Sequence, residues 1–137
     1  MTTLVLDSEA MSVLARARGG RNPGAVLAAL RAAVESDRPV VVPAAVLAEL
    51  YRGGSHDQSV DSCLGAYTGI AVADTDRSLA RRIGHLLAKA GRGSRDHVDA
   101  TVVAVALRSS SAVIATADPD DLRDLADGLP SIKIEPV

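Results

Sequence analysis

Residues 95–118 read "RDHVDATVVAVALRSSSAVIATAD": an apolar run opened by two aspartates, a serine-rich break, then a β-branched run ending near a third acid. The first run predicts a helix opened by Asp96 and Asp99, and "AVIAT" (112–116) predicts a strand. The same pairing recurs outward from this stretch. "TLVL" (3–6), "PVVVP" (39–43), "GIAVA" (69–73) and "IKI" (132–134) are further candidate strands. Between them Val26, Leu27, Leu30, Ala33 and Val34 keep a helical period, as do Leu79, Ile83, Leu86, Leu87 and Ala90. Strands alternating with helices predict an α/β fold: one central, mostly parallel sheet of about five short strands, flanked by helices. The polar stretch "RGGSHDQSVDS" (52–62) reads as a helix end or a loop.

Composition narrows the class. A chain of 137 residues suits a single domain spanning 1–137, with a core that needs no disulfide or structural metal. Apolar residues make up 47% of the chain, yet it holds two Tyr and no Phe or Trp. The core is therefore Ala, Val, Leu and Ile, and aromatic platforms for stacking nucleic-acid bases are missing. A lone Cys63 excludes an internal disulfide and a cysteine-based zinc site. The N-terminus lacks the pattern of a signal peptide, and no apolar run is long enough to span a bilayer. The expectation is a soluble cytoplasmic protein.

The net charge of −2 gives no global case for nucleic-acid binding, but charge is unevenly placed. Arg77, Arg81, Arg82, Lys89, Arg92 and Arg95 fall in one segment without an acid. They are either a solvated helix face or an anion-binding rim, the latter making Arg77, Arg81, Arg82, Arg92 and Arg95 candidate anion contacts. Asp118, Asp120, Asp121, Asp124 and Asp127 follow further on, with Arg123 the only cation among them.

In open parallel sheets, ligands bind beyond the carboxyl ends of the strands. Asp7 directly follows strand "TLVL", with Ser8 beside it; Asp118 lies just past "AVIAT"; Glu49 sits about a helical turn beyond "PVVVP"; Asp96 and Asp99 open the apolar helix. Each has a plainer reading. Asp7 and Ser8 suit a helix cap, Glu49 suits a salt bridge to Arg52, and Asp118 before Pro119 suits an N-cap. Asp96 and Asp99 approximate a capping box. Asp121, Asp124 and Asp127 read as surface charges. A cap explains one acid at a time, but not four segments converging on one sheet edge.

Clustered carboxylates repel one another unless a cation lies among them, and an all-oxygen set favours Mg²⁺ or Mn²⁺ over zinc. His56, His85 and His97 have no metal-ligand spacing. No nucleophile elbow, P-loop or GxGxxG occurs. The acidic pair of a receiver domain and the D-x-D of dehalogenase-like phosphotransferases are also missing, since Asp7 is followed by Ser8 and Glu9.

Four stretches, "LVLDSEAMSVL", "VPAAVLAELYRG", "DHVDATVVAVAL" and "VIATADPDDL", resemble in order and spacing the acidic blocks of PIN domains, and most closely those of VapC-type toxins. The resemblance covers essentially the whole chain. It implies an Mg²⁺- or Mn²⁺-dependent endoribonuclease that acts on RNA, is usually a homodimer, and is held inactive by a cognate antitoxin. Block by block, it implies that Asp7, Asp99 and Asp118 bind metal and that Glu49 completes the catalytic set. Ser8, Thr116 and Arg52 become supporting residues. The family pattern of an acid followed by Ala fits Asp99 rather than Asp96, which stays an alternative ligand. The rival reading is a catalytically silent PIN-like module that binds protein or RNA.

Overall fold

A computed structural model describes residues 1–16 and 23–137. Five strands, β1 (Thr2–Leu6), β2 (Val40–Pro43), β3 (Ile70–Ala73), β4 (Ser111–Thr116) and β5 (Ile132–Pro136), form one sheet in the order β3-β2-β1-β4-β5. Every neighbouring pair is parallel, so the expected mostly parallel sheet is wholly so. All five strands fall where the β-branched runs predict them.

Seven α-helices occur among the described residues: α1 (Ser8–Ala15), α2 (Gly24–Glu35), α3 (Ala44–Leu50), α4 (Gly54–Ala66), α5 (Arg77–Ala90), α6 (His97–Ala106) and α7 (Pro119–Leu125). A short 3-10 turn, Ser94–Asp96, leads into α6. None of the helices is long and apolar enough to cross a membrane.

The opening stretch is the keystone of the core. Every residue of α6 from Ala100 to Ala106 is buried, because the helix packs on β1, β2 and β4 on one side and on α3, α5 and α7 around it. A helix covered all round has no polar face, which is why its sequence shows no amphipathic period. Thr101, fully buried in mid-helix, satisfies its hydroxyl by donating to the His97 carbonyl at 2.7 Å. Its neighbour α5 shows the opposite pattern, with Leu79, Ile83 and Leu86 inward and its arginines outward. Gly91, at φ 65°, closes α5 in the left-handed conformation that side chains resist.

Of the two readings of residues 52–62, helix end or loop, the helical one holds: 54–62 belong to α4, whose Val60 and Cys63, three apart, reach the core while its outer face is polar. Asp57 Oδ1 accepts the backbone amides of Arg52 and Gly53 at 3.1 and 2.9 Å, fastening the start of that helix. Val34, counted on the inner face of α2, is instead 58% exposed near the end of the helix.

Candidate functional site

Asp7 leaves the end of central strand β1 and is 5% exposed. Its Oδ1 accepts the Ala10 amide at 2.9 Å, so it caps α1 as well as facing the site. Burial pushes its carboxyl above the usual range, against hydrogen bonds from the Thr116 side chain and the Ala10 amide that favour the charged form. Thr116, fully buried at the end of adjacent β4, does double duty. Its hydroxyl also accepts the Asp118 amide at 3.0 Å, which ties two acid-bearing segments together.

Glu49 lies exposed near the end of α3, and its Oε1 accepts the Ser8 hydroxyl at 3.0 Å. The salt bridge to Arg52 does not form. Arg52 turns back onto its own chain and donates to the carbonyls of Ala48 and Tyr51 at 2.8 and 2.7 Å. It fastens the end of α3 and does not line the cleft.

Asp99 sits in the first turn of α6, and its carboxyl is pushed up to about 6. Burial is the main cause, followed by the negative charges of Asp121, Asp7, Glu49 and Asp96. Asp96 points elsewhere: its Oδ1 lies 3.6 Å from Arg92 Nη1, and it makes no side-chain cap to α6. The capping box is thus absent. Asp118, exposed just past β4, likewise makes no side-chain cap, though Pro119 does open α7.

Asp7, Ser8, Glu9, Glu49, Arg95, Val98, Asp99, Asp118 and Asp121 together line a cleft of about 230 Å³ at the carboxyl end of the sheet. The expected acids Asp7, Glu49, Asp99 and Asp118 are all there, and Asp96 is not. Glu9 and Asp121 are additions. Asp121 carries a sequence signal, being three residues beyond Asp118 on a helix opened by Pro119, which puts both on one face. Glu9 carries none, because an acid in a first helical turn already suits the dipole.

The basic segment splits in space. Arg77 and Arg81 flank a separate open depression with Ser78, and Arg82 reaches towards the Leu107 carbonyl at 3.4 Å. Arg92 is bound to acids, with Nη2 2.7 Å from Asp124 Oδ2 and Nη1 3.6 Å from both Asp121 and Asp96. Only Arg95 lines the cleft.

The cleft's ligand atoms are all oxygens, and burial pushes up the carboxyls of buried Asp7 and half-buried Asp99, so their negative charge is poorly compensated. That chemistry fits a hard divalent cation. Among the described residues, no three His, Cys, Asp or Glu side chains already stand as a metal cage. Glu49, exposed and held by one bond from Ser8, and exposed Asp118 are less tightly held than Asp7, which is buried and capped by the Ala10 amide.

Residues 4–128 match the family model of the PIN domain. The chain belongs to the PIN-domain family. The fold comparison agrees. This PIN domain superposes on a chain of the DNA-bound VapBC complex from Salmonella typhimurium with a TM-score of 0.68 at 17% identity, covering 99% of this chain and 98% of that one. Against VapBC2 from Rickettsia felis, bound to a fragment of its promoter DNA, the TM-score is 0.69 at 16% identity, with 99% of both chains covered. A toxin–antitoxin complex from Klebsiella pneumoniae gives 0.60 at 16% identity over 94% of each chain. No curated protein sequence matches the chain significantly.

Proposed function

We propose that this PIN domain is a divalent-metal-dependent endoribonuclease and the toxin of a toxin–antitoxin pair. The observation that carries the reading is the delivery of Asp7, Glu49, Asp99 and Asp118, from four separate segments, to one cleft at the carboxyl end of the sheet. The toxin role draws further support from structural neighbours described as VapBC and toxin–antitoxin complexes.

Asp7, Asp99 and Asp118 would hold Mg²⁺ or Mn²⁺, which lowers the pKa of bound water and offsets phosphate charge when present. Thr116 and the Ala10 amide hold Asp7 in one orientation. Ser8 engages one oxygen of Glu49, leaving Oε2 to orient water and receive its proton. Val98 gives the cleft an apolar wall beside Asp99. The substrate is RNA, the partner is a cognate antitoxin, and the assembly is a homodimer.

The decisive experiment is an endonuclease assay on RNA with Mg²⁺ or Mn²⁺, comparing wild type with Asp7→Ala and Asp99→Ala. Both variants are expected to lose cleavage. Undiminished cleavage in both sinks the reading, and calorimetry without any Mn²⁺ binding favours the catalytically silent module. Relief of toxicity by a small protein encoded beside this one tests the partner.

A further inference from the structure

A polyanion approaching this cleft meets the carboxylates of Asp7, Glu9, Glu49, Asp99, Asp118 and Asp121, and among the described residues Arg95 is the one basic side chain in the cleft's lining. The other members of its basic segment do not serve the cleft. Arg92, three residues earlier, is consumed by Asp124, Asp121 and Asp96, and Arg77, Arg81 and Arg82 lie outside the lining. Arg95 is exposed, and among the described residues it makes no hydrogen bond or ion pair of its own, although acids surround it.

Its placement is set by the chain. Arg95 stands in the 3-10 turn Ser94–Asp96, four residues before Asp99, so it overhangs the first turn of α6. The ion pair between Arg92 and Asp96 anchors the residue next to it, which steadies the turn without engaging the Arg95 guanidinium.

We propose that Arg95 is the substrate-phosphate ligand of the site, presenting its guanidinium to a phosphodiester beside the carboxylate cluster. The proposal rests on the nuclease reading and names which cation of the basic segment meets the substrate. Arginine fits the task because its planar fork donates two parallel hydrogen bonds to phosphate oxygens and stays charged at every working pH.

The test compares wild type with Arg95→Gln and Arg95→Lys in three measurements. The first is cleavage of a fluorogenic mixed-sequence oligoribonucleotide. Arg95→Gln is expected to raise KM about tenfold, the scale of one lost charge-assisted hydrogen bond, with a smaller change in kcat. Arg95→Lys recovers part of that loss. The second is anisotropy with a non-cleavable 2′-O-methyl oligonucleotide at several salt concentrations. Loss of one phosphate contact lowers the slope of log affinity against log salt by about 0.7. The third is Mn²⁺ calorimetry, where removing a cation from an acidic cleft leaves metal affinity unchanged or tighter.

An unchanged KM and salt slope in Arg95→Gln overturns the proposal. So does a loss of Mn²⁺ affinity, which marks Arg95 as a structural prop of the cluster. If wild type binds the non-cleavable oligonucleotide but cleaves nothing, the nuclease reading fails while the anisotropy comparison still decides the role of Arg95.

Discussion

The Ser8 hydroxyl donates to Glu49 Oε1 at 3.0 Å, joining the residue after the acid of β1 to the helix that follows β2, 41 positions along the chain. The bond is exposed, so its contribution to folding is small. Its consequence is directional, since it fixes which way a mobile carboxylate faces. Ser8→Ala is expected to lower kcat for RNA cleavage about fivefold to tenfold while shifting stability by less than about 1 kcal/mol. Steady-state kinetics and a urea titration on the same sample check both halves. A kcat equal to wild type removes Ser8 from the catalytic arrangement.

Thr116→Val keeps shape and removes one hydroxyl. That hydroxyl donates to buried Asp7 and accepts the Asp118 amide. Leaving both partners without it is expected to cost about 1–3 kcal/mol. With one favourable hydrogen bond to its charged form gone, Asp7 rises further above the ordinary carboxylate range, and Mn²⁺ affinity at neutral pH falls. Chemical denaturation and calorimetry read the two effects, and equal Mn²⁺ affinity in the variant contradicts the second.

Asp99 gives the metal-free protein a pH signature. Its carboxyl is pushed up to about 6 from a reference of 3.8, so between those values the folded chain holds a proton that the unfolded chain has released. Stability is therefore fully present below about pH 4 and declines as pH rises through the folded value, where the charged form must sit among other acids. Solvent around a half-buried group limits the loss to on the order of 1 kcal/mol. Asp7 shifts in the same direction and adds to it. Urea titrations in chelator at about pH 4.5, 5.5 and 7 should show the decline, and Asp99→Asn should flatten it. Rising wild-type stability across that window contradicts this account. Excess Mn²⁺ is expected to stabilise chiefly above about pH 6.

The two aspartates at the start of α6 separate cleanly. Asp99 lines the cleft, whereas Asp96 faces Arg92. Asp99→Asn is expected to abolish Mn²⁺ binding, and Asp96→Asn to weaken it less than about threefold, through loss of a distant charge. The reverse ranking by calorimetry makes Asp96 the ligand.

What the bare sequence reveals follows from how each element meets solvent. The strands are legible because each is a short apolar, largely β-branched run bounded by turn residues, including edge strands β3 and β5, which are only partly covered. Helix α4 is obscured because Val60, Cys63 and partly buried Leu64 alone mark its inner face among serines, glycines and aspartates. Asp7, Glu49, Asp99 and Asp118 reach one cleft because strand ends in such a sheet open on one side. Glu9 is masked by its equally good explanation as a first-turn acid, and Asp121 by the run of surface aspartates around it. The basic segment misleads for a different reason. The segment crosses the end of α5 at Gly91, so Arg77 and Arg81 share a face of the helix, while Arg92 and Arg95 lie beyond it, one clamped to aspartates and the other in the cleft.

Strand β1 lies between β2 and β4, and its register with β4 pairs Thr2 with Ser111 and Leu6 with Ala115. During synthesis, Asp7 emerges well before Asp118 and the strand that leads to it. The central strand stays without one of its two neighbours until then, and Asp7 without the hydroxyl of Thr116. A chain that stops short of β4 thus carries Asp7, Glu49 and Asp99 but not the cleft they share with Asp118. The cleft is therefore assembled only once β4 and the residues just beyond it have left the ribosome.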